Sequence, residues 1–377
     1  MNINNVSHNK YSKFKGKISI DSKISIDKIE DITNLYMPGS INECLKIKED
    51  KTKLYDYTNK SNTVLVVTNG SLIPELGDIG AEASIPFLEA KCALLKKFAG
   101  LDSFPICLKT SDVDEMINAI SLMSPMFGAI MLESISSPLC FKVEKKLNEI
   151  CDIPVFNDYD GTAVVLAAAI VNSAKLLNKN ISHMKIVINN ENTPGISTAN
   201  HLFNMGFFNI TIIDKPDSQI NFNKYHSKIL NSKINISDDL TKSILGADVY
   251  IGFSKEESLT PDMIETMNKE PVVFTLSCLE SESNLNKALT NGVSIFGTGI
   301  CELPNYISNI LSSPGILKGI LNGKIAKVDN KILESASLAI AGLILPFELN
   351  HQRILPNIFD QRISTEVAES VIHSSKI

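Results

Sequence analysis

The chain of 377 residues has no run of apolar residues long enough to cross a membrane. Its longest apolar runs, TAVVLAAAIV and LAIAGLILPF, reach only about half of the roughly 20 residues that a spanning helix needs. The first residues, MNINNVSHNK, lack the apolar core of a secretory signal. We therefore expect a cytoplasmic protein with no membrane partner.

Sequence patterns for disulfide frameworks and zinc sites are also missing. The seven cysteines are an odd number, and they include no CxxC pair and no zinc-type spacing. The six histidines never occur as HxxxH or beside a cysteine pair. These patterns predict free, mostly buried thiols and no metal site built on histidine.

A basic stripe is absent as well. The formal net charge is -6, which argues against a nucleic-acid partner. Hydrophobic residues make up 44% and charged residues 21% of the chain, an ordinary balance for a globular protein. The length allows two or three domains with sizeable cores.

What is present is an alternation of short apolar runs with helical patterns. It predicts an α/β protein with an N-terminal mixed α/β domain (1–160), a Rossmann-like doubly wound domain (161–345) and C-terminal helices (346–377) that pack back. The second domain is the more regular, because five strand-like runs alternate with helices as a parallel sheet requires. These runs are KIVIN, ITIID, ADVYIGFS, PVVFTLS and VSIFGTG.

The loop after KIVIN departs from the glycine pattern G-x-G-x-x-G of dinucleotide-binding folds. Asn190 and Asn192 stand where the first two glycines let the backbone approach a pyrophosphate, and Glu191 adds a negative charge there. Gly195 keeps the third position, which allows close packing of helix and strand. Asp214, at the end of ITIID, is a candidate partner for a ribose hydroxyl. The loop therefore argues against tight dinucleotide binding.

Five blocks of sequence resemble the malic enzyme family, in the family's order and along nearly the whole chain. They resemble the family patterns Y-T-P-G-V-A-E-P-C, L-G-D-I-G-x-E-A, L-E-D-I-S-A-P-x-C-F, I-P-V-F-H-D-D-Q-H-G-T-A and P-N-Q-x-N-N. The corresponding blocks here are LYMPGSINECLKI, LGDIGAEASIPFLEAKCALLKKFAG, MLESISSPLCF, IPVFNDYDGTA and LPNYISNIL.

The resemblance implies oxidation of malate by NAD or NADP, decarboxylation of the oxo acid, and protonation of the enol of pyruvate. It implies Tyr36 as the acid, Lys91 as the base, Asp158 close to the lysine, and Asn309 at the substrate. It further implies a small carboxylic-acid substrate, a homodimer, and a divalent Mg²⁺ or Mn²⁺ ion held by three carboxylates. A desolvated lysine beside a carboxylate can have its pKa tuned toward neutrality.

The positions implied for metal and substrate binding have changed. The family's Glu-Asp metal pair is Glu133-Ser134 here, and the third ligand falls on Tyr159, with Asp160 as a possible substitute. Mg²⁺ and Mn²⁺ prefer hard anionic oxygens, so a family-type metal site is not expected. At further contact positions, Cys278 and Ser308 replace asparagines.

Three functions are compatible with this pattern. We rank first a repurposed enzyme that uses Lys91 and Tyr36 to decarboxylate, enolise or tautomerise a small 2-oxo or β-oxo acid without metal or NAD. In that case Lys91 acts as a base or as a Schiff-base amine. A non-catalytic protein that binds a metabolite or partner comes second, and authentic NAD(P)-dependent decarboxylation of malate comes third. No cofactor is assigned from the sequence alone.

Overall fold

The computed structural model describes residues 14–189, 193–213, 230–253, 259–276, 290 and 292–376. Within them the chain forms two parallel sheets flanked by helices, which confirms the predicted α/β class. The first sheet has the strand order β2-β1-β3-β4. Its strands are β1 (Thr63–Thr68), β2 (Asp102–Cys107), β3 (Ala129–Leu132) and β4 (Val155–Asn157).

The second sheet has the strand order β10-β9-β8-β5-β6-β7, and its paired strands are parallel. Numbered from β5, this is the order 3-2-1-4-5-6 of dinucleotide-binding sheets, with the order reversing between β5 and β8. The strands are β5 (Lys185–Asn189), β6 (Asn209–Ile213), β7 (Asn235–Ser237), β8 (Val249–Gly252), β9 (Val272–Thr275) and β10 (Ile295–Thr298).

Helices connect the strands and cover the sheets. Those that precede the second sheet are α1 (Ile29–Leu35), α2 (Gly39–Glu49), α3 (Leu54–Tyr57), α4 (Gly80–Ala99), α5 (Val113–Met123), α6 (Leu139–Ile150) and α7 (Asp158–Leu176). Those that follow β5 are α8 (Thr193–Asn204), α9 (Leu240–Ile244), α10 (Pro261–Thr266), α11 (Ser313–Asn322), α12 (Asn330–Gly342) and α13 (Ile363–Ser374). The predicted domain boundary at 160/161 falls inside α7, and the division into domains stays a prediction.

Burial on both faces explains the continuous apolar composition of the central strands. In β1, Val64 and Val66 pack into one core cluster and Leu65 and Val67 into another, because successive side chains point to opposite faces. The first of these clusters is continuous with the second sheet and with α13. The site residues are therefore carried by elements that share one core.

The C-terminal helices pack back on this core, as predicted from the sequence. A Cβ atom added at Gly315 of α11 would lie 2.6 Å from the Cβ of Val367 in α13, and one at Gly319 would lie 2.8 Å from the carbonyl oxygen of Ala368. Both glycines are needed because the helix backbones approach so closely. No helix in the described ranges combines the length and the apolar character that crossing a bilayer requires.

His201 in α8 is a buried histidine that makes folding sensitive to acid. Its Nε2 lies 2.8 Å from the Ser337 hydroxyl of α12, which itself donates to the Leu333 carbonyl, so Nε2 carries the proton. Its Nδ1 has no hydrogen-bond partner among the described residues. Burial disfavours the charged imidazolium and lowers the pKa of His201 from 6.5 to about 4.

Between these two pKa values the unfolded chain binds more protons, so stability falls as the pH falls from 6.5 toward 4. We expect His201 to contribute a loss of about 2–3 kcal/mol in the free energy of unfolding between pH 7 and pH 4.5. Urea unfolding of the parent and of His201→Gln at both pH values measures this, since glutamine can still donate to Ser337 but does not titrate. Equal losses in the two proteins would contradict the assignment.

Candidate active site

Lys91 occupies a buried position in the middle of α4. The inward stripe of this helix includes Ser84, Leu88, Lys91 and Leu95, spaced by three and four residues. A lysine in such a stripe is unusual, and Lys91 is only 7% exposed. Buried lysines need charged or polar partners, and three side chains from other elements supply them.

Three oxygens surround the Lys91 ammonium. Nζ donates to Asp158 Oδ1 at 3.0 Å and to Asn309 Oδ1 at 3.1 Å. Glu133 Oε2 lies 3.2 Å from Nζ and forms an ion pair that is not a directed hydrogen bond. The cluster thus contains one ammonium, two carboxylates and one amide, all largely removed from water.

The fold brings these residues together at one edge of the first sheet. Glu133 directly follows β3, and Asp158 directly follows the adjacent parallel strand β4. The carboxyl ends of parallel strands meet at the same edge, where binding groups commonly lie. Asp158 is also the first residue of α7, where the positive end of the helix dipole favours a carboxylate.

Asp158 is the centre of a hydrogen-bond network that holds Lys91 in place. It accepts from Lys91 through Oδ1 and from the Asn309 amide through Oδ2. The Ser313 hydroxyl, in the first turn of α11, makes a long contact of 3.5 Å with Oδ1. Sequence reasoning missed Ser313; its position two residues after the last resemblance block, beside Pro314 and Gly315, was the available signal.

The charges in this cluster shift one another's pKa values. Burial alone would lower the pKa of Lys91, but the charges of Asp158 and Glu133, with the hydrogen bond to Asp158, raise it above its ordinary value. Burial, followed by the charge of Asp158, raises the pKa of Glu133 to about 8, against the opposing effect of Lys91. Lys91 is therefore protonated at rest, which differs from the expected shift toward neutrality because the charges of its carboxylate neighbours outweigh the effect of burial.

Comparison with known proteins agrees with this architecture. A family model described as "Malic enzyme, N-terminal domain" matches residues 15–148. The bifunctional malic/malolactic enzyme of Bacillus subtilis (strain 168) is 36% identical over 366 residues, which cover 95% of this chain and 89% of that protein. The chain belongs to the malic enzyme family.

Further malic enzymes share the sequence and the fold. The NAD-dependent malic enzyme of Geobacillus stearothermophilus is 36% identical over 96% of this chain and 77% of its own. The crystal structure of an NAD-dependent malic enzyme from Thermotoga maritima gives a TM-score of 0.87 at 35% identity, covering 96% of this chain and 97% of that one. The crystal structure of the malic enzyme from Pyrococcus horikoshii Ot3 gives a TM-score of 0.90 at 32% identity, covering 96% of this chain and 87% of that one.

The residues at the implied metal positions do not form a cation site in this malic enzyme relative. Ser134 donates its hydroxyl to Glu133 Oε1 at 3.1 Å, and the buried Tyr159 hydroxyl donates to the Ile135 carbonyl at 3.2 Å. Among the described residues, no three His, Cys, Asp or Glu side chains are grouped as cation ligands. The residues present therefore do not fit the divalent ion that the resemblance implied.

Asp160 does not replace the missing ligands, contrary to the suggestion from the sequence. It accepts a hydrogen bond from the Ser197 hydroxyl of α8 and lies beside Glu144 of α6. Burial, followed by the charge of Glu144, raises its pKa well above the ordinary value. Asp160 is thus one residue further along α7 than a ligand at position 159 would be, and it is engaged elsewhere.

Tyr36 is an exposed side chain and is not one of the three residues that contact the Lys91 ammonium, so the predicted acid–base pair stays a prediction. It lies at the carboxyl end of α1, and its side chain is 69% exposed. Neither α1 nor α2 contains a buried residue. The three Lys91 partners named above come from β3, α7 and the turn before α11 instead.

The described part of the second sheet has the strand order of dinucleotide-binding sheets, with its switch point between β5 and β8. β5 ends at Asn189, α8 begins at Thr193, and Gly195 is buried in the first turn of α8. The implied contacts at Asn190, Glu191, Asn192, Asp214 and Cys278 lie outside the described residues. Ser308 caps the turn that carries Asn309, because its hydroxyl accepts from the backbone N–H of Ile310 at 3.4 Å.

Proposed function

We propose that the protein catalyses the oxidative decarboxylation of malate, or of a closely similar 2-hydroxy dicarboxylic acid, with NAD or NADP as the hydride acceptor. The observation that carries this proposal is the buried Lys91 ammonium held by Asp158, Glu133 and Asn309. The names of the relatives favour this reaction over the metal- and NAD-independent chemistry that the sequence alone ranked first.

In the first step, the substrate hydroxyl loses its proton to the lysine cluster. Lys91 is protonated at rest, so it first passes a proton to Asp158 or Glu133, which lie 3.0 and 3.2 Å away, and the neutral amine then takes the hydroxyl proton. When bound, NAD or NADP would supply the acceptor for the hydride that leaves carbon 2. Asn309 keeps both side chains in position throughout, because it accepts a hydrogen bond from Lys91 Nζ and donates one to Asp158 Oδ2.

In the second step, the oxo acid loses carbon dioxide. The bond between carbon 3 and its carboxylate breaks, and the electron pair forms an enolate whose negative charge lies on the carbon 2 oxygen. The Lys91 ammonium is placed to donate to that oxygen, and in a site excluded from water such a charge-assisted hydrogen bond stabilises the enolate strongly. Protonation of carbon 3 then gives pyruvate and requires a separate acid.

That acid is Tyr36 of a second copy of the chain in the homodimer that we propose. Exposed large apolar side chains are concentrated on the N-terminal arm, defined here as residues 14–49. A monomer would leave this arm in water at a considerable cost in apolar exposure. Its exposed residues include Phe14, Ile18, Ile20, Ile24, Ile26, Ile29, Ile32, Leu35, Tyr36, Met37, Ile41 and Leu45.

A second candidate is decarboxylation of a 3-oxo acid without NAD(P). It is favoured by the neutral side chains at Ser134 and Tyr159. It is also favoured by the protonated Lys91, which can stabilise the negative charge of an enolate without any hydride transfer. In this case Lys91 acts only as a hydrogen-bond donor and acid.

One pair of assays separates the two functions. The first supplies malate with NAD or NADP and measures reduced nicotinamide together with released carbon dioxide. The second supplies oxaloacetate without nucleotide and measures carbon dioxide alone. We expect equal amounts of reduced nicotinamide and carbon dioxide in the first. Carbon dioxide in the second assay only would favour the second candidate, and no turnover in either would favour a non-catalytic binding protein.

A further inference from the structure

We propose that the Lys91 ammonium replaces the divalent cation in this chain, so that its reaction does not depend on Mg²⁺ or Mn²⁺. The inference deepens the proposed function and rests on it for the reaction, although its central test is a binding measurement. It starts from Glu133, whose Oε2 faces Lys91 Nζ at 3.2 Å and whose Oε1 accepts from the Ser134 hydroxyl at 3.1 Å. Both carboxylate oxygens are already directed at groups of the protein.

The two residues that directly follow Glu133 and Asp158 stand at implied metal-ligand positions but carry no anionic oxygen. Ser134 offers a neutral hydroxyl, which is used to hold Glu133. Tyr159 offers a neutral phenol, whose ring packs in the apolar cluster with Leu65 and Val67 and whose hydroxyl donates to Ile135. Mg²⁺ and Mn²⁺ need several hard oxygen ligands in a near-octahedral arrangement, and neither of these groups supplies a carboxylate.

The charges at the site also oppose a divalent ion. Glu133 and Asp158 together carry at most two negative charges, and Lys91 already places one positive charge within 3.2 Å of both. A divalent ion on the same two carboxylates would bring three positive charges against two negative ones. At this separation and in a buried site, the repulsion between the ion and the ammonium is large.

The ammonium can stabilise the negative charge of the enolate in place of a divalent cation. When the bond from carbon 3 to the carboxylate breaks, the electron pair moves into the enolate, and its oxygen accepts a hydrogen bond from Lys91 Nζ. The ammonium needs no ligand field of its own, since Asp158, Asn309 and Glu133 already orient it. A single preorganised cation of this kind stabilises an oxyanion without further reorganisation.

The experiment compares Mn²⁺ binding by the parent protein and by Ser134→Asp/Tyr159→Asp, which restores both carboxylates. Mn²⁺ alone is titrated, and free ion is followed by its paramagnetic resonance signal. We expect no saturable binding by the parent up to millimolar Mn²⁺, and binding at least about 10- to 100-fold tighter by the double variant. Ser134→Asn/Tyr159→Asn is the matched uncharged control and should resemble the parent. Because Tyr159 is buried, Ser134→Asp alone is measured too and should fall between the two.

Micromolar binding of Mn²⁺ by the parent would overturn the inference. So would a loss of parent turnover after metal chelation that Mn²⁺ restores. Failure of the proposed function looks different, because it would remove turnover of malate with and without metal while leaving the binding result intact. Turnover that changes less than twofold between chelated and Mn²⁺-supplemented buffer supports the inference.

Discussion

Replacing Lys91 with methionine is expected to lower kcat for malate by about 10²- to 10⁴-fold. Methionine has a similar length but removes the proton donor and the positive charge that face the reacting oxygen. It also leaves Asp158 and Glu133 without the ammonium that lies 3.0 and 3.2 Å from them, so these buried carboxylates would take up protons or repel each other. Steady-state kinetics with malate and NAD or NADP provide the measurement.

Two controls separate chemistry from folding in this experiment. Lys96→Met removes an exposed lysine of the same helix whose partner is Asp102, and it should leave kcat unchanged. Lys91→Gln keeps a hydrogen-bond donor toward Asp158 without the charge, and it should fold better than the methionine variant while remaining as inactive. A folded Lys91→Met protein with kcat within threefold of the parent would show that the lysine cluster is not the catalytic centre.

Mixing two inactive proteins, Lys91→Met and Tyr36→Phe, is expected to restore about a quarter of the parent activity. Each variant alone should lose about 10²-fold or more in kcat, since one lacks the lysine and the other the acid. If Tyr36 acts in the partner's site, one of the two sites in every mixed dimer contains both native groups. Mixed dimers make up half of the population after subunit exchange, which gives the quarter.

The same mixture would stay inactive if Tyr36 acted within its own chain, because every site would then lack one group. Tyr57→Phe serves as the control, since the hydroxyl of this tyrosine accepts a hydrogen bond from Lys46 of the N-terminal arm. It should keep the parent activity. Mixed dimers that form, as shown by differently tagged subunits, but recover no activity would contradict the shared site.

The sequence predicted the centre of this site better than its surroundings. Lys91, Asp158 and Asn309 came from separate resemblance blocks, and the fold joins them within hydrogen-bond distance. The fold class followed from alternating strand and helix patterns, because burial on both faces of a parallel sheet leaves a clear apolar signature. In the described residues, both parallel sheets carry that signature.

The sequence did not predict where individual side chains point or which groups they contact in the folded chain. Glu133 was assigned to a metal, yet its carboxylate turns to Lys91, which sits 42 positions earlier on a different element. Asp160 was one residue from a suitable position, but a shift of one residue at the start of α7 turns its side chain toward Ser197. Tyr36 lies on an exposed arm, and the contact that we propose for it with a second copy is one that no pattern within a single chain could predict.

The direction of the Lys91 pKa shift could not be predicted from the sequence for the same reason. Burial beside a carboxylate suggested a lowered value, whereas the charges of Asp158 and Glu133 together outweigh burial and raise the pKa. The groups that face the ammonium decide that direction, and only the folded geometry shows which they are. The chemical consequence is a site whose resting lysine is an acid and becomes a base only after proton transfer to its neighbours.

A crystal structure with bound tartronate, a 2-hydroxy dicarboxylic acid that lacks the carbon 3 methylene of malate, tests the central claim most directly. We predict a tartronate oxygen about 3 Å from Lys91 Nζ, with Asp158 and Asn309 still in contact with the lysine. Tartronate bound elsewhere, for example in the cleft of roughly 360 Å³ lined by Phe98 and Phe359, with Lys91 still enclosed by its three partners, would contradict it.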